Sequence, residues 1–178
     1  MSRRKLKLEE LNRISLEEFQ NAEKIPLTVV LDNVRSQHNI GSVFRTCDAF
    51  RVEEILLCGI TATPPSAEIH KSALGAEDAV RWQYVNETLK AVRMMQDQGY
   101  LVYAVEQTQQ SLSLERVELQ RDKKYAIVLG HEVHGVEQAV IDACEGSLEI
   151  PQFGTKHSLN VSVAAGIVIW DFFRQLSH

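Results

Sequence analysis

A chain of 178 residues and 20.1 kDa has room for one compact domain with a sizeable core and little for a second. Its 44% hydrophobic and 24% charged residues exclude wholesale disorder, and its net charge of −5 argues against a broadly basic nucleic-acid binder. The longest apolar-plus-small run, Val163 to Trp170, falls far short of the roughly 20 residues of a membrane span.

The segment behind Met-Ser-Arg-Arg-Lys lacks the apolar stretch of a signal peptide. Cys47, Cys58 and Cys144 are scattered and odd in number, which excludes a disulfide scaffold and fits a reducing, cytoplasmic setting. Residues 1–13 carry five cations against two carboxylates, net +3, which leaves −8 for the rest. Such a basic arm is suited either to plain solvation or to docking on a polyanion.

Leu6, Leu8, Leu11, Ile14, Leu16 and Phe19 predict one or two short amphipathic helices over residues 5–21, within a short basic extension, 1–25, ahead of a single domain, 26–178. Leu27–Leu31 reads as a buried strand, residues 39–50 as a helix, and Glu54–Cys58 as a strand stopped by Gly59. Thr61–Ser66, with Pro64 and Pro65, is a loop. Glu87–Gln98 is a helix closed by Gly99, Tyr100–Val105 and Tyr125–Leu129 are strands, and Val136–Ala143 is helical. Leu148–Ile150 is a short strand stopped by Pro151, and Ser158–Leu176 is the last helix. This alternation predicts an α/β fold with a mainly parallel sheet flanked by helices. Val161, Val163, Ile167, Val168, Ile169, Trp170, Phe172 and Phe173 leave the last helix almost no polar face, so burial on all sides is expected, against its own sheet and a second subunit.

The first βα loop, Asp32 to Gly41, has one glycine and lacks the Rossmann spacing. Gly130-His-Glu-Val-His-Gly135 has the spacing of a phosphate loop, but Val136 and Glu137 stand where that loop needs Lys and Ser or Thr. His131 and His134 are three apart, not the four of a zincin helix, so no metal is expected. Three polar blocks survive. Asn39 is placed at a helix N-cap with Arg45 on the second turn; the Gly130–Gly135 loop offers backbone groups to a ligand; Ser158 is placed as the cap of the last helix, with Asn160 unexplained.

The blocks His38-Asn-Ile-Gly-Ser-Val-Phe-Arg45, Leu129-Gly-His-Glu-Val-His-Gly-Val136, and Ile150-Pro followed by Ser158-Leu-Asn-Val-Ser-Val-Ala-Ala165 resemble, in order and spacing, the motifs of the SpoU family of RNA ribose 2′-O-methyltransferases within the SPOUT superfamily. The resemblance covers about residues 26–176. It implies a C-terminal trefoil knot, which general topology rules would not predict, a homodimer, and S-adenosyl-L-methionine as cofactor. It also implies that the cofactor is held by Val105, Leu129, Gly130, Glu132, Gly135, Ile150, Pro151, Phe153, Ser158, Leu159 and Asn160. Arg45 is implied as the catalytic residue, with Asn39, Glu132, Ser158 and Asn160 in support. An arginine is hard to deprotonate, so a role on phosphate or a developing alkoxide suits Arg45 better than that of a base. The third motif looks most like the branch acting on tRNA guanosine, with ribosomal RNA as the alternative substrate. Base methylation and RNA binding without transfer are the competing readings.

Overall fold

The computed structural model describes residues 3–177. The N-terminal segment forms a 3-10 turn, Leu8–Leu11, and a six-residue helix α1, Leu16–Asn21, the short helical pieces expected over 5–21. Ser15 and Glu18 form a reciprocal cap: the Glu18 amide donates to the Ser15 hydroxyl at 3.2 Å, and the Ser15 amide to the Glu18 carboxylate at 2.7 Å. Phe19 is buried and fastens α1 to the core.

Beyond α1 the elements are β1 (Ile25–Asp32), α2 (Gln37–Ala49), β2 (Val52–Cys58), α3 (Ala67–Ala73), α4 (Ala76–Ala79), β3 (Trp82–Val85) and α5 (Thr88–Asp97). They continue with β4 (Tyr100–Val105), β5 (Leu112–Ser113), β6 (Lys124–Leu129), α6 (Gln138–Ala143), β7 (Gly146–Glu149) and α7 (Val161–Leu176). The seven strands form one sheet in the order β3-β2-β1-β6-β4-β7-β5, with every pairing parallel. Pro26 lies inside β1, at the irregularity in its pairing with β2 and before its first pair with β6, so its missing N–H leaves no gap in the ladder.

Side chains alternate across the sheet. On one face Leu27, Val29, Leu31 and Ile127 meet Ile40 and Phe44 of α2 and Val168 and Phe172 of α7. On the other, Val30, Leu56, Val102 and Val128 meet Ala91, Val92 and Met95 of α5 and Val140 of α6. A sheet covered on both faces accounts for the nearly continuous apolar strands.

Two expectations, both about helix caps, need correction. The N-cap of α2 is Ser36, whose hydroxyl accepts the Asn39 amide at 3.2 Å; Asn39 lies one turn inside the helix and is buried. The N-cap of α7 is Asn160, not Ser158: its side-chain oxygen accepts the amides of Ser162 at 2.9 Å and Val163 at 3.4 Å. Within this chain α7 packs one side against its own sheet and leaves open the apolar face expected to meet a second subunit. Ala165, Val168, Ile169 and Phe172 are inaccessible, whereas Val163, Ile167 and Trp170 are 50%, 38% and 52% exposed.

Candidate active site

The loops that follow β4, β6 and β7 surround a cavity of about 990 Å³ at the carboxyl end of the sheet, the end where open parallel sheets bind ligands. Of the residues named for a cofactor, Val105, Leu129, Gly130, Glu132, Gly135, Ile150, Ser158, Leu159 and Asn160 line it. Pro151 and Phe153 do not, and Phe153 is 97% exposed.

The loop after β6 is closed on itself. His131 and Gly135 exchange both backbone hydrogen bonds, at 3.0 and 2.8 Å. A Cβ at Gly130 would lie 2.1 Å from the Gly135 carbonyl carbon, so this turn closes only over a glycine. Gly135 itself has φ +67, and a Cβ there would lie 2.2 Å from a carboxylate oxygen of Glu106. Nδ1 of His131 accepts the amides of Val133 at 3.0 Å and His134 at 3.4 Å, and the two imidazoles stack with centroids 4.8 Å apart.

Glu132 points back to the start of α2. Its carboxylate accepts the Ser36 amide at 2.9 Å, the Arg35 amide at 3.1 Å and the side-chain amide of Asn39 at 3.2 Å. Burial raises its pKa, but the Ser36 and Arg35 amides, with the Asn39 side chain, more than offset this and hold the carboxyl below its ordinary value. The Asn39 carbonyl oxygen in turn accepts the side-chain amide of Asn160 at 3.2 Å. A continuous polar chain therefore runs Glu132–Asn39–Asn160 and ends on the N-terminal amides of α7, joining all three motif blocks. With its oxygen on α7 and its NH₂ on Asn39, Asn160 no longer lacks a role.

Arg45 stands apart from this chain. It is exposed on the flank of α2 that also carries His38 and Ser42, and it does not line the cavity. Ser158 lines the cavity and, among the described residues, makes no side-chain hydrogen bond. Gln152, inside the Ile150 to Phe153 stretch expected at the cofactor, lines the cavity, and Glu106, Gln107 and His157 line it without having been anticipated. The Gln107 side chain donates to the His157 carbonyl at 3.1 Å, tying the loop after β4 to the one before α7. Glu106 is the first residue past β4, at the strand end where parallel sheets place ligand contacts, and that position is the signal that could have marked it.

Residues 26–170 match the model of the SpoU rRNA Methylase family. The chain belongs to that family. It is 36% identical over 151 residues to the 23S rRNA (guanosine-2'-O-)-methyltransferase of Nitrosomonas europaea, a match covering 85% of this chain and 57% of that protein. It is 30% identical over 169 residues to the tRNA (guanosine(18)-2'-O)-methyltransferase of Thermus thermophilus, covering 93% of this chain and 84% of that one. Among solved structures, the A. aeolicus TrmH/SpoU tRNA modifying enzyme superposes with a TM-score of 0.78 at 26% identity, over 90% of this chain and 79% of that one. The AdoMet-bound rRNA methyltransferase of Sinorhizobium meliloti gives 0.79 at 26% identity, over 89% and 60%. This SpoU chain thus spans little more than half of the first relative and most of the second.

Proposed function

We propose that this SpoU protein transfers a methyl group from S-adenosyl-L-methionine to a ribose 2′-OH of RNA, with tRNA guanosine as the first substrate class and ribosomal RNA as the second. The observation that carries the reading is the Glu132–Asn39–Asn160 chain at the cavity's edge, which joins the three SpoU motifs through side chains. The cavity suits the cofactor. Its volume is that of a pocket for a ligand of this size, and the glycine loop leaves its backbone against the space. Leu129, Gly130, Gly135, Ile150, Leu159 and Asn160 are the residues that would hold it. When bound, the cofactor supplies an activated methyl group on a sulfonium.

A ribose hydroxyl is a weak nucleophile at neutral pH, so the protein must orient it and stabilise the charge that develops on it. Asn39 and Asn160, bonded to each other and to Glu132 and the α7 amides, brace the cavity edge. Arg45 is the residue proposed to act on the ribose oxygen or the neighbouring phosphate. Its place outside the cavity of its own chain favours a contribution to the site of a second subunit. The apolar stripe Val163, Ile167 and Trp170, on one face of α7, supports a homodimer built on that helix. Two basic N-terminal arms would then flank the RNA. A trefoil knot and a cytoplasmic location complete the reading; among the described residues no helix is long and apolar enough to cross a membrane.

Ribose-methylation maps of total RNA, compared with and without the protein, test the activity and name the RNA. A missing methyl on a base instead of a ribose would replace this reading with base methylation. Arg45→Ala should leave cofactor affinity intact and reduce transfer at least about 100-fold, the scale of losing one transition-state contact, measured as methyl incorporation into RNA. Trp170→Glu should convert dimer to monomer in sedimentation, because it would bury an unpaired charge.

A further inference from the structure

We propose that Glu106 recognises the ribose of the cofactor, its carboxylate accepting the two vicinal hydroxyls. The proposal rests on the reading of the cavity as the S-adenosylmethionine site. Glu106 lines that cavity from the end of β4. One carboxylate oxygen accepts the Gln107 amide at 3.0 Å and the other the Val136 amide at 3.1 Å. Among the described residues it has no salt-bridge partner. The Gly135 turn packs against it so closely that any side chain there would collide with the carboxylate. The two amides hold it in place, and the absence of a side chain at Gly135 leaves it the room.

A carboxylate offers about four acceptor sites. Two are filled by the backbone, and a vicinal diol brings two donors for the two that remain. Other parts of the cofactor match less well: the sulfonium has no N–H or O–H to donate, and the ammonium carries three donors on one atom. The other carboxylates that line the cavity have other work. Glu132 holds three donors from the start of α2, and Glu149 accepts the Ser111 hydroxyl. A site whose polar group is placed for a hydroxyl rejects analogues lacking it, because that group is left unpaired.

The test is calorimetry on the full chain with S-adenosylhomocysteine, 5′-methylthioadenosine and the 2′,3′-dideoxy analogue of S-adenosylhomocysteine. For the wild type, removing the hydroxyls should weaken binding about 10- to 100-fold, the range of hydrogen bonds to a charged group. Glu106→Gln should weaken S-adenosylhomocysteine and methylthioadenosine by a similar factor and leave the dideoxy analogue at its wild-type affinity. Equal weakening of all three ligands would overturn the proposal in favour of a purely structural role through the Val136 and Gln107 amides. Weakening of S-adenosylhomocysteine but not of methylthioadenosine would overturn it in favour of the ammonium. If the variant does not fold, the wild type alone decides: a dideoxy analogue bound as tightly as its parent overturns the assignment. A wild type that binds none of the three overturns the cofactor reading, and the ribose assignment with it.

Discussion

Residues 130–136 and the loop 151–159, which reaches the cavity through Gln152 and His157 to Leu159, meet at the same cavity and are built in opposite ways. The first loop closes on itself through the paired His131 and Gly135 backbones, caps its own amides with an imidazole, rests on Glu106 and anchors α2 through Glu132. The second is exposed along most of its length and is tied across the cavity by the bond between Gln107 and the His157 carbonyl. One wall is therefore preorganised, and the other has backbone polar groups to spare. Ligand binding gains most where the first wall is already in place and the second supplies adaptable contacts. Asn160, at the end of the open wall, is bonded to Asn39 and so through it to the closed one.

The largest effect that could break this contrast is Gly130→Ala. Its Cβ would meet backbone 2.1 Å away, so the closed wall should open at a cost of about 3 kcal/mol, read as a lowered unfolding midpoint, and cofactor binding should be lost with it. Glu132→Gln should be milder, about 1 kcal/mol at neutral pH after allowance for solvent screening. Its pH dependence sharpens the point. The Glu132 carboxyl has a lowered pKa in the folded chain, so its stabilisation is complete above its unfolded value of about 4.5 and is lost as pH falls through the lower folded value. Denaturant titrations should show the wild-type advantage over Glu132→Gln at pH 7 and little of it at the acid end. The smallest effect belongs to the open wall. Gly154→Ala meets nothing within 4 Å and should change stability by no more than about 0.5 kcal/mol, with a gain if the unfolded chain loses more freedom. A large loss there would mean that the second loop is as tightly built as the first.

The strands buried on both faces could be read from the sequence because burial leaves a continuous apolar signature, as in Leu27–Leu31 and Tyr125–Leu129. β3 escaped because, in this edge strand, only Val85 of Trp82–Val85 is buried. β5 has two residues, and α3 and α4 are too short to show a helical period. The caps were displaced because Ser36 and Asn39, like Ser158 and Asn160, are all plausible caps by composition, and only backbone geometry chooses between them. The link from Asn39 to Asn160 lies outside any local rule, since its partners meet only after the sheet has formed. The three motif blocks were legible as polar stretches and are joined in the fold by side-chain bonds, but the first polar residues after β4, Glu106 and Gln107, resemble an ordinary turn until the cavity is seen.

β6 fills the place between β1 and β4, with Leu27 of β1 paired to Tyr125 of β6. A ribosome delivers β1, β2 and β3 long before it delivers residue 125. Until then the far side of β1 is an unpaired apolar strand edge, of the kind that recruits other chains, and its proper partner must arrive from a great sequence distance, a slow route to closure. The β1–β6 pairing thus leaves the growing chain with an open, apolar sheet edge until the residues around 125 have been made.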